Sequence, residues 1–259
     1  MTELTDILSA YTPISLQEMD SVKLMNRIDT KYVVSLDLLP TLLETARDDY
    51  YVQEIEGKRI ALYDTMYYDT STLDMYIRHH DKQLVRQKIR VRQYVDSGFT
   101  FLEIKRKNNK GRTKKKRIAV PGFRINGNTI GKGKEDITVE EFISQKSRYT
   151  WDSISPHLRT DFNRVTLVNK EKTERLTIDL NLVWDNVITG EAMTYPNLVI
   201  IELKRAGHIY SPMAQILRDN HIHPFKVSKY CIGTALTTPN LKRNRFKSKI
   251  HTIEKILDL

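Results

Sequence analysis

The strongest constraint on the fold is a segment in which basic residues recur at every second position. In residues 85–94 (VRQKIRVRQY), the basic residues are Arg86, Lys88, Arg90 and Arg92. Because successive side chains of a β-strand point to opposite faces, a strand here places four cations on one face. Cations at this spacing repel one another. The segment therefore predicts a strand whose basic face meets an anion.

Three further segments combine an apolar face with a charged face. An antiparallel sheet with one face in water would give this pattern. A sheet closed into a barrel would also give it, with its apolar side under helices and its charged side around water and an anion. The frequent arginines favour the barrel, because the guanidinium fork suits phosphate oxygens. The segments are residues 99–107 (FTFLEIKRK), 174–184 (ERLTIDLNLVW) and 198–205 (LVIIELKR).

Composition bounds the class of protein and its partners. A length of 259 residues suits one large domain or two small ones, and a hydrophobic fraction of 40% suits a substantial core. No apolar run is long enough for a membrane span. The single cysteine, Cys231, excludes a disulfide framework, and with no secretory signal recognised we expect a cytoplasmic protein.

The net charge is +10, and residues 86–117 carry thirteen Lys and Arg against two acids, which favours a polyanionic partner. We expect the other basic stretch, residues 242–249, to be a solvated tail.

Seven motifs, in order along the chain, resemble the VTC domain. They are RIDTKY (27–32), YYDT (67–70), the span from MYIRHH through RQKIRVRQY (75–94), FLEIKRK (101–107), ERLTIDLNL (174–182), VIIELKR (199–205) and FKVSKY (225–230). This domain is the polyphosphate-polymerase module of the triphosphate tunnel metalloenzyme superfamily, and the resemblance is to its bacterial stand-alone type. It implies an α+β fold, with a closed antiparallel β-barrel tunnel that has a basic lumen and is surrounded by helices. Residues 1–240 would form one such domain, and residues 241–259 a basic C-terminal tail or helix.

The resemblance also implies the residues of the site. Four would be both catalytic and phosphate-binding: Arg90, Arg92, Lys105 and Lys229. The other phosphate-binding residues would be Lys31, Lys116, Arg164, Arg175, Lys226 and Ser228. Glu202 would hold the divalent metal, Mn²⁺ or Mg²⁺, since hard cations favour carboxylate oxygens. Glu103 and Asp179 share the charged faces, and we expect structural ion pairs for both. Phe162 is a departure, because the polymerases of the family are expected to carry Tyr there.

The function implied by the resemblance is transfer of the γ-phosphate of ATP onto a growing polyphosphate chain. Such a transfer needs positioning and charge stabilisation rather than a nucleophilic side chain. The alternatives are a tunnel-type tri- or polyphosphate hydrolase and a non-catalytic polyphosphate-binding subunit. Nucleic acid is not an expected partner, because the sequence has no RNA-recognition aromatic motif and no helix-turn-helix signal. Attachment to a membrane transporter would have to come from a partner protein. We expect Arg90→Ala to abolish turnover while leaving the thermal transition almost unchanged.

Overall fold

The computed structural model describes residues 2–20, 27–121 and 137–259, and in them one mixed sheet with flanking helices. Its strands are β1 Thr12–Ser15, β2 Arg27–Ser35, β3 Tyr50–Glu54, β4 Ala61–Asp69, β5 Arg86–Tyr94, β6 Phe99–Lys107, β7 Thr113–Ala119, β8 Ser155–Asn169, β9 Glu174–Asn186, β10 Ala192–Thr194 and β11 Leu198–Ala206. Its helices are α1 Thr2–Ser9, α2 Leu16–Asp20, α3 Leu39–Ala46, α4 Asp74–His80, α5 Val139–Lys146, α6 Pro212–Asp219, α7 Lys229–Thr237 and α8 Asn244–Ile256. The architecture is thus of the mixed α and β kind that the sequence predicts.

The main path of the sheet is antiparallel and follows the order β2-β11-β9-β8-β4-β5-β6-β7. The β1–β3 pair at one side is parallel. The predicted hairpin between β5 and β6 is present, and Gly98 at its turn has a φ of +67°, which glycine adopts without steric cost. No helix in the described parts of the chain is both long and apolar enough to cross a bilayer.

The sheet is strongly curled. Strands β2 and β5 stand five positions apart in the order, which in a flat sheet would separate them by about 24 Å. Yet Lys31 on β2 donates to the carbonyl of Val227, and Lys88 on β5 donates to the hydroxyl of the adjacent Ser228. Both lysines therefore lie on the concave face, and the two halves of the sheet bend toward each other.

The described residues form a half-barrel rather than the closed barrel that the sequence analysis expects. No ladder joins β2 to β7 within them, so both remain edge strands of the path. Strand β7 is exposed at its first five positions, and four of these are the basic residues 114–117. Lysines along an edge strand disfavour pairing with a further strand.

The two faces of the sheet bury different cores. The convex face packs apolar side chains such as Leu176 and Ile201 against α1, α3 and α6, and Ile89 and Ile104 against α5. The concave face is apolar only toward one end, where α7 and α8 cover Trp184 and its neighbours. This division leaves the remaining concave surface for charged residues.

The packing of α7 on the sheet is especially close at Gly233. A Cβ atom at this position would lie 2.1 Å from Cδ1 of Trp184, so only glycine fits. The indole Nε1 of Trp184 also donates to the carbonyl of Lys229, at 2.9 Å. These contacts fix the N-terminus of α7 inside the curl of the sheet.

Candidate functional site

The concave face collects most of the charged side chains that the sequence analysis selects. The strand register shows this directly, because residues opposite each other in a ladder share a face. The opposed pairs are Lys31–Glu202, Arg164–Asp179, Lys204–Arg175, Arg90–Glu103 and Lys88–Lys105. These pairs come from six strands, and the curl brings them around one shared space.

The position predicted for Lys116 is wrong. Lys116 is opposite Ile104, which belongs to the apolar core on the convex side, so its exposed side chain points away from the concave face. Lys115 is opposite Lys105 instead and forms an ion pair with Glu103. The run KKKR has a basic residue at either parity, so only the register set by the turn at residues 108–112 distinguishes them.

Glu103 anchors one group of cations. Its carboxylate is fully buried, and one of its oxygens accepts from Nε and Nη2 of Arg90 at 2.8 and 2.6 Å. Burial raises the pKa of Glu103, but Arg90, Arg92 and Lys115 outweigh this effect and hold the pKa well below its usual range. Glu103 is therefore ionised, and the predicted structural ion pair is confirmed.

Asp179 is the matching anchor on the other wall. It accepts from Nε and Nη2 of Arg164 at 2.5 and 2.7 Å, and it also forms an ion pair with Lys229. Burial raises the pKa of Asp179, yet Arg164 and Lys229 lower it further than burial raises it. The carboxylate thus fixes one cation from a strand and one from α7.

Arg92 has no carboxylate contact in the described structure. Its Nε donates to the hydroxyl of Thr65 at 3.1 Å, and its guanidinium lies over the rings of Tyr63 and Phe162, at 5.4 and 5.5 Å from their centroids. Burial, Arg90 and other nearby cations lower its pKa. A buried cation held by a hydroxyl and aromatic faces keeps free N–H donors for an anion.

Lys105 and Arg175 are also cations without an ion pair among the residues described. Arg90 and burial lower the pKa of Lys105 well below its usual value, while Glu202 opposes them. Burial, followed by Arg27 and Arg164, lowers the pKa of Arg175, and its buried Nε has no hydrogen-bond partner in the same residues. A bound polyanion would relieve the repulsion at both positions.

Ser228 and Lys229 are at the N-terminus of α7, as the sequence analysis expects. The hydroxyl of Ser228 caps the helix by accepting from the amide of Cys231, and it also accepts from Nζ of Lys88 at 2.6 Å. Nζ of Lys229 lies 4.6 Å from the ring centroid of Phe162. Burial lowers the pKa of Lys229 to about 8, and Asp179 limits the shift. The helix N-terminus itself adds partial positive charge.

Glu202 lies between two lysines. Its carboxylate is 2.8 Å from Nζ of Lys204 and 3.9 Å from Nζ of Lys31. Burial raises its pKa, but Lys31 and Lys204 lower it well below the usual value, so the group is ionised. It offers hard oxygens to a divalent cation, although no cluster of three His, Cys, Asp or Glu exists in the described residues. Most oxygens for Mn²⁺ or Mg²⁺ would therefore come from phosphates and water.

Two further residues complete the comparison with the expected site. Lys226 is exposed, and its backbone carbonyl accepts from Nζ of Lys249. The YYDT motif suggests a wall and hydrogen-bonding role for Tyr67, and its hydroxyl accepts from Nη1 of Arg90 at 3.3 Å. Burial raises the pKa of Tyr67, and Arg90, Arg92 and Lys88 lower it to about 8. Only the pairing of β4 with β5 shows that Tyr67 is the residue opposite Arg90, because the YYDT motif places one tyrosine on each face of its strand.

Comparison with known proteins relates this geometry to a family. The structure is similar to a candidate adenylate cyclase from Bacillus halodurans, with 12% identity, a TM-score of 0.47, and coverage of 79% of this chain and 96% of that one. It is also similar to a candidate adenylyl cyclase from Hippeastrum with a dominant triphosphatase activity, with 14% identity, a TM-score of 0.45, and coverage of 83% and 99%. No curated protein matches the sequence. Residues 26–238 match the VTC domain, and the chain belongs to the VTC domain family.

Proposed function

We propose that this protein is a polyphosphate polymerase that transfers the γ-phosphate of ATP onto the end of a growing phosphate chain. The observation that carries the proposal is the set of buried or half-buried cations without carboxylate partners, namely Arg92, Lys105 and Arg175. Such cations repel one another unless a polyanion lies between them. Membership of the VTC domain family supports a phosphate-handling function for this face.

The proposed reaction needs no nucleophilic side chain. A terminal oxygen of the chain, already anionic, attacks the γ-phosphorus, and the bond from that phosphorus to the β,γ-bridging oxygen breaks. The electron pair leaves with ADP, and the chain is longer by one phosphate. The main obstacle is repulsion between two polyanions, so catalysis depends on fixed positive charge and alignment.

The residues of the concave face divide this task. Arg92 and Lys105 carry free donors toward the phosphates, while Arg90 is held in place by Glu103. Lys229 and Arg164 are held by Asp179 and approach from the other wall. Glu202, with oxygens from the substrate, would hold the divalent cation, which when bound neutralises charge on the triphosphate.

We also infer that the concave face is the lumen of a tunnel that holds the phosphate chain. The curl supports this, because cations from β2 and β5 meet at residues 227–228. The protein would then bind ATP and polyphosphate along one basic path.

The test is incubation of purified protein with ATP and Mn²⁺, followed by gel detection of phosphate chains and quantification of ADP. The proposal expects long chains, with one ADP released for each phosphate incorporated. Orthophosphate and ADP without polymer would instead identify a tunnel-type hydrolase. Tight polyphosphate binding without any ATP turnover would identify a non-catalytic binding subunit. Arg106→Ala is a matched control for alanine variants of the concave arginines, because Arg106 is an exposed arginine on the opposite face of the sheet, on β6.

A further inference from the structure

Three lysines from three different elements converge on residues 226–228. Nζ of Lys249, on α8, donates to the carbonyl of Lys226. Nζ of Lys31 donates to the carbonyl of Val227 at 3.3 Å, and Nζ of Lys88 donates to the hydroxyl of Ser228 at 2.6 Å. An ammonium has three donors, and each of these lysines uses one of them on this segment. The remaining donors are available to a ligand.

The convergence has little negative charge beside it. Neither Lys88 nor Lys249 has an ion pair in the described part of the chain, and the acid nearest to Lys31 is Glu202, at 3.9 Å. Lys226 and Lys82 act on Lys249 as further like charges. Within the described residues, Lys88 and Lys249 are thus held by neutral acceptors, and Glu202 compensates the repulsion only at Lys31.

Helix α8 fixes Lys249 at this position. The expectation of a solvated tail at residues 242–249 is wrong, because Phe246 and Ile250 on the same helix are buried in the concave core. Lys249 is half-buried beside them, whereas Lys247, two residues earlier, is exposed. Lys249 therefore points toward residues 226–228 and not into solvent.

His79, at the end of α4, is affected electrostatically by the same lysines. Burial lowers its pKa to about 2, and Lys88, Arg86, Lys249 and Lys31 add to the shift. Cations from β2, β5 and α8 therefore all disfavour a charge on this imidazole. The Nδ1 atom is buried and has no hydrogen-bond partner among the residues described.

We propose that Lys249 forms a subsite for remote phosphates of a linear polyphosphate, continuous with the concave face through Lys31 and Lys88. This inference rests on the proposed function, since it gives the growing chain a second point of attachment. Continuity identifies the ligand class, because one extended polyanion would contact both the central cations and Lys249. Tripolyphosphate is too short to need the subsite once the central cations hold it.

The test compares the binding of tripolyphosphate and of a long polyphosphate of defined length, by calorimetry without ATP. For Lys249→Ala we expect about a tenfold loss of affinity for the long chain, as for removal of one charge-assisted contact. The affinity for tripolyphosphate should change less than twofold. Lys247→Ala removes the same charge from the exposed side of α8 and should alter neither affinity. Lys249→Arg should restore long-chain binding, which separates the effect from a folding defect.

Each other outcome overturns the subsite. An unchanged long-chain affinity shows that Lys249 does not contact the chain, and equal losses for both ligands show that it acts through the central cations. A single-stranded oligonucleotide of equal charge that binds as tightly, and loses the same affinity in Lys249→Ala, shows a general polyanion surface instead. Because binding is measured without ATP, the subsite can stand where polymer formation fails. Polymer formation can likewise stand where the subsite fails.

Discussion

Arg90 and Glu103 form a buried ion pair in which two guanidinium nitrogens lie 2.8 and 2.6 Å from the same carboxylate oxygen. Lys115 contacts the other oxygen of Glu103. The pair changes the prediction for Arg90→Ala, which from sequence alone should leave stability almost unchanged. Removing Arg90 leaves a fully buried carboxylate with one partially exposed lysine. A loss of activity in Arg90→Ala would therefore not separate a loss of phosphate binding from a loss of stability.

We predict that Glu103→Gln destabilises the protein by about 3 to 5 kcal/mol, because it leaves Arg90 as an uncompensated buried charge. Urea denaturation followed by circular dichroism measures this difference. Glu191→Gln, at an exposed glutamate, is the control and should change the free energy of unfolding by less than about 0.5 kcal/mol. A loss in Glu103→Gln as small as that of the control would show that the pair contributes nothing to stability.

Arg92 gives the cleaner test of phosphate binding, because it has no carboxylate contact to lose. We predict that Arg92→Ala lowers ATP turnover by about 100- to 1000-fold, as expected for removal of one transition-state donor. Its thermal transition should fall less than that of Glu103→Gln, since no buried charge loses its partner. Steady-state kinetics and differential scanning calorimetry on the same samples check both statements. Turnover within threefold of wild type would remove Arg92 from the site.

Lys229 predicts a pH dependence of phosphate binding. Its pKa is lowered to about 8 in the folded protein, mainly by burial, so it is charged below pH 8 and loses its charge as the pH rises through that value. The protonated form attracts phosphate, and tripolyphosphate affinity should therefore fall as the pH rises through about 8. In Lys229→Arg this step should be absent, because a guanidinium stays charged. An identical step in wild type and Lys229→Arg would assign the titration to another group.

The Asp179 carboxylate sharpens that prediction. It raises the pKa of Lys229 against the effect of burial, so Asp179→Asn should move the step to a pH below 8. Calorimetric titration of tripolyphosphate across the pH range measures the midpoint in both proteins. A midpoint that does not move would show that Asp179 has no electrostatic effect on Lys229.

Alternation along single strands was enough to predict which face of β5 carries Arg90 and Arg92, because parity within a strand is a local property. The same reasoning failed for Lys116, since KKKR is basic at both parities and its register depends on the turn before it. It also did not identify the partner of Tyr67, which lies on a neighbouring strand. The position of Lys249 depends on how α8 packs in the concave core, and that packing is a tertiary property that no local pattern contains.

Glu202 provides the test of metal dependence. Its carboxylate lies between Lys31 and Lys204, where it offsets their charge in the absence of metal. We predict that Glu202→Gln raises the Mn²⁺ concentration needed for half-maximal turnover by about tenfold or more, because a hard ligand is lost. In the presence of a chelator, the same variant should bind tripolyphosphate more tightly than wild type, since one negative charge has left a basic site. Titration of Mn²⁺ in the turnover assay and calorimetry in chelator measure the two effects separately. If the Mn²⁺ requirement is unchanged while chelated tripolyphosphate binds more tightly, Glu202 is a partner of the two lysines and does not hold the metal.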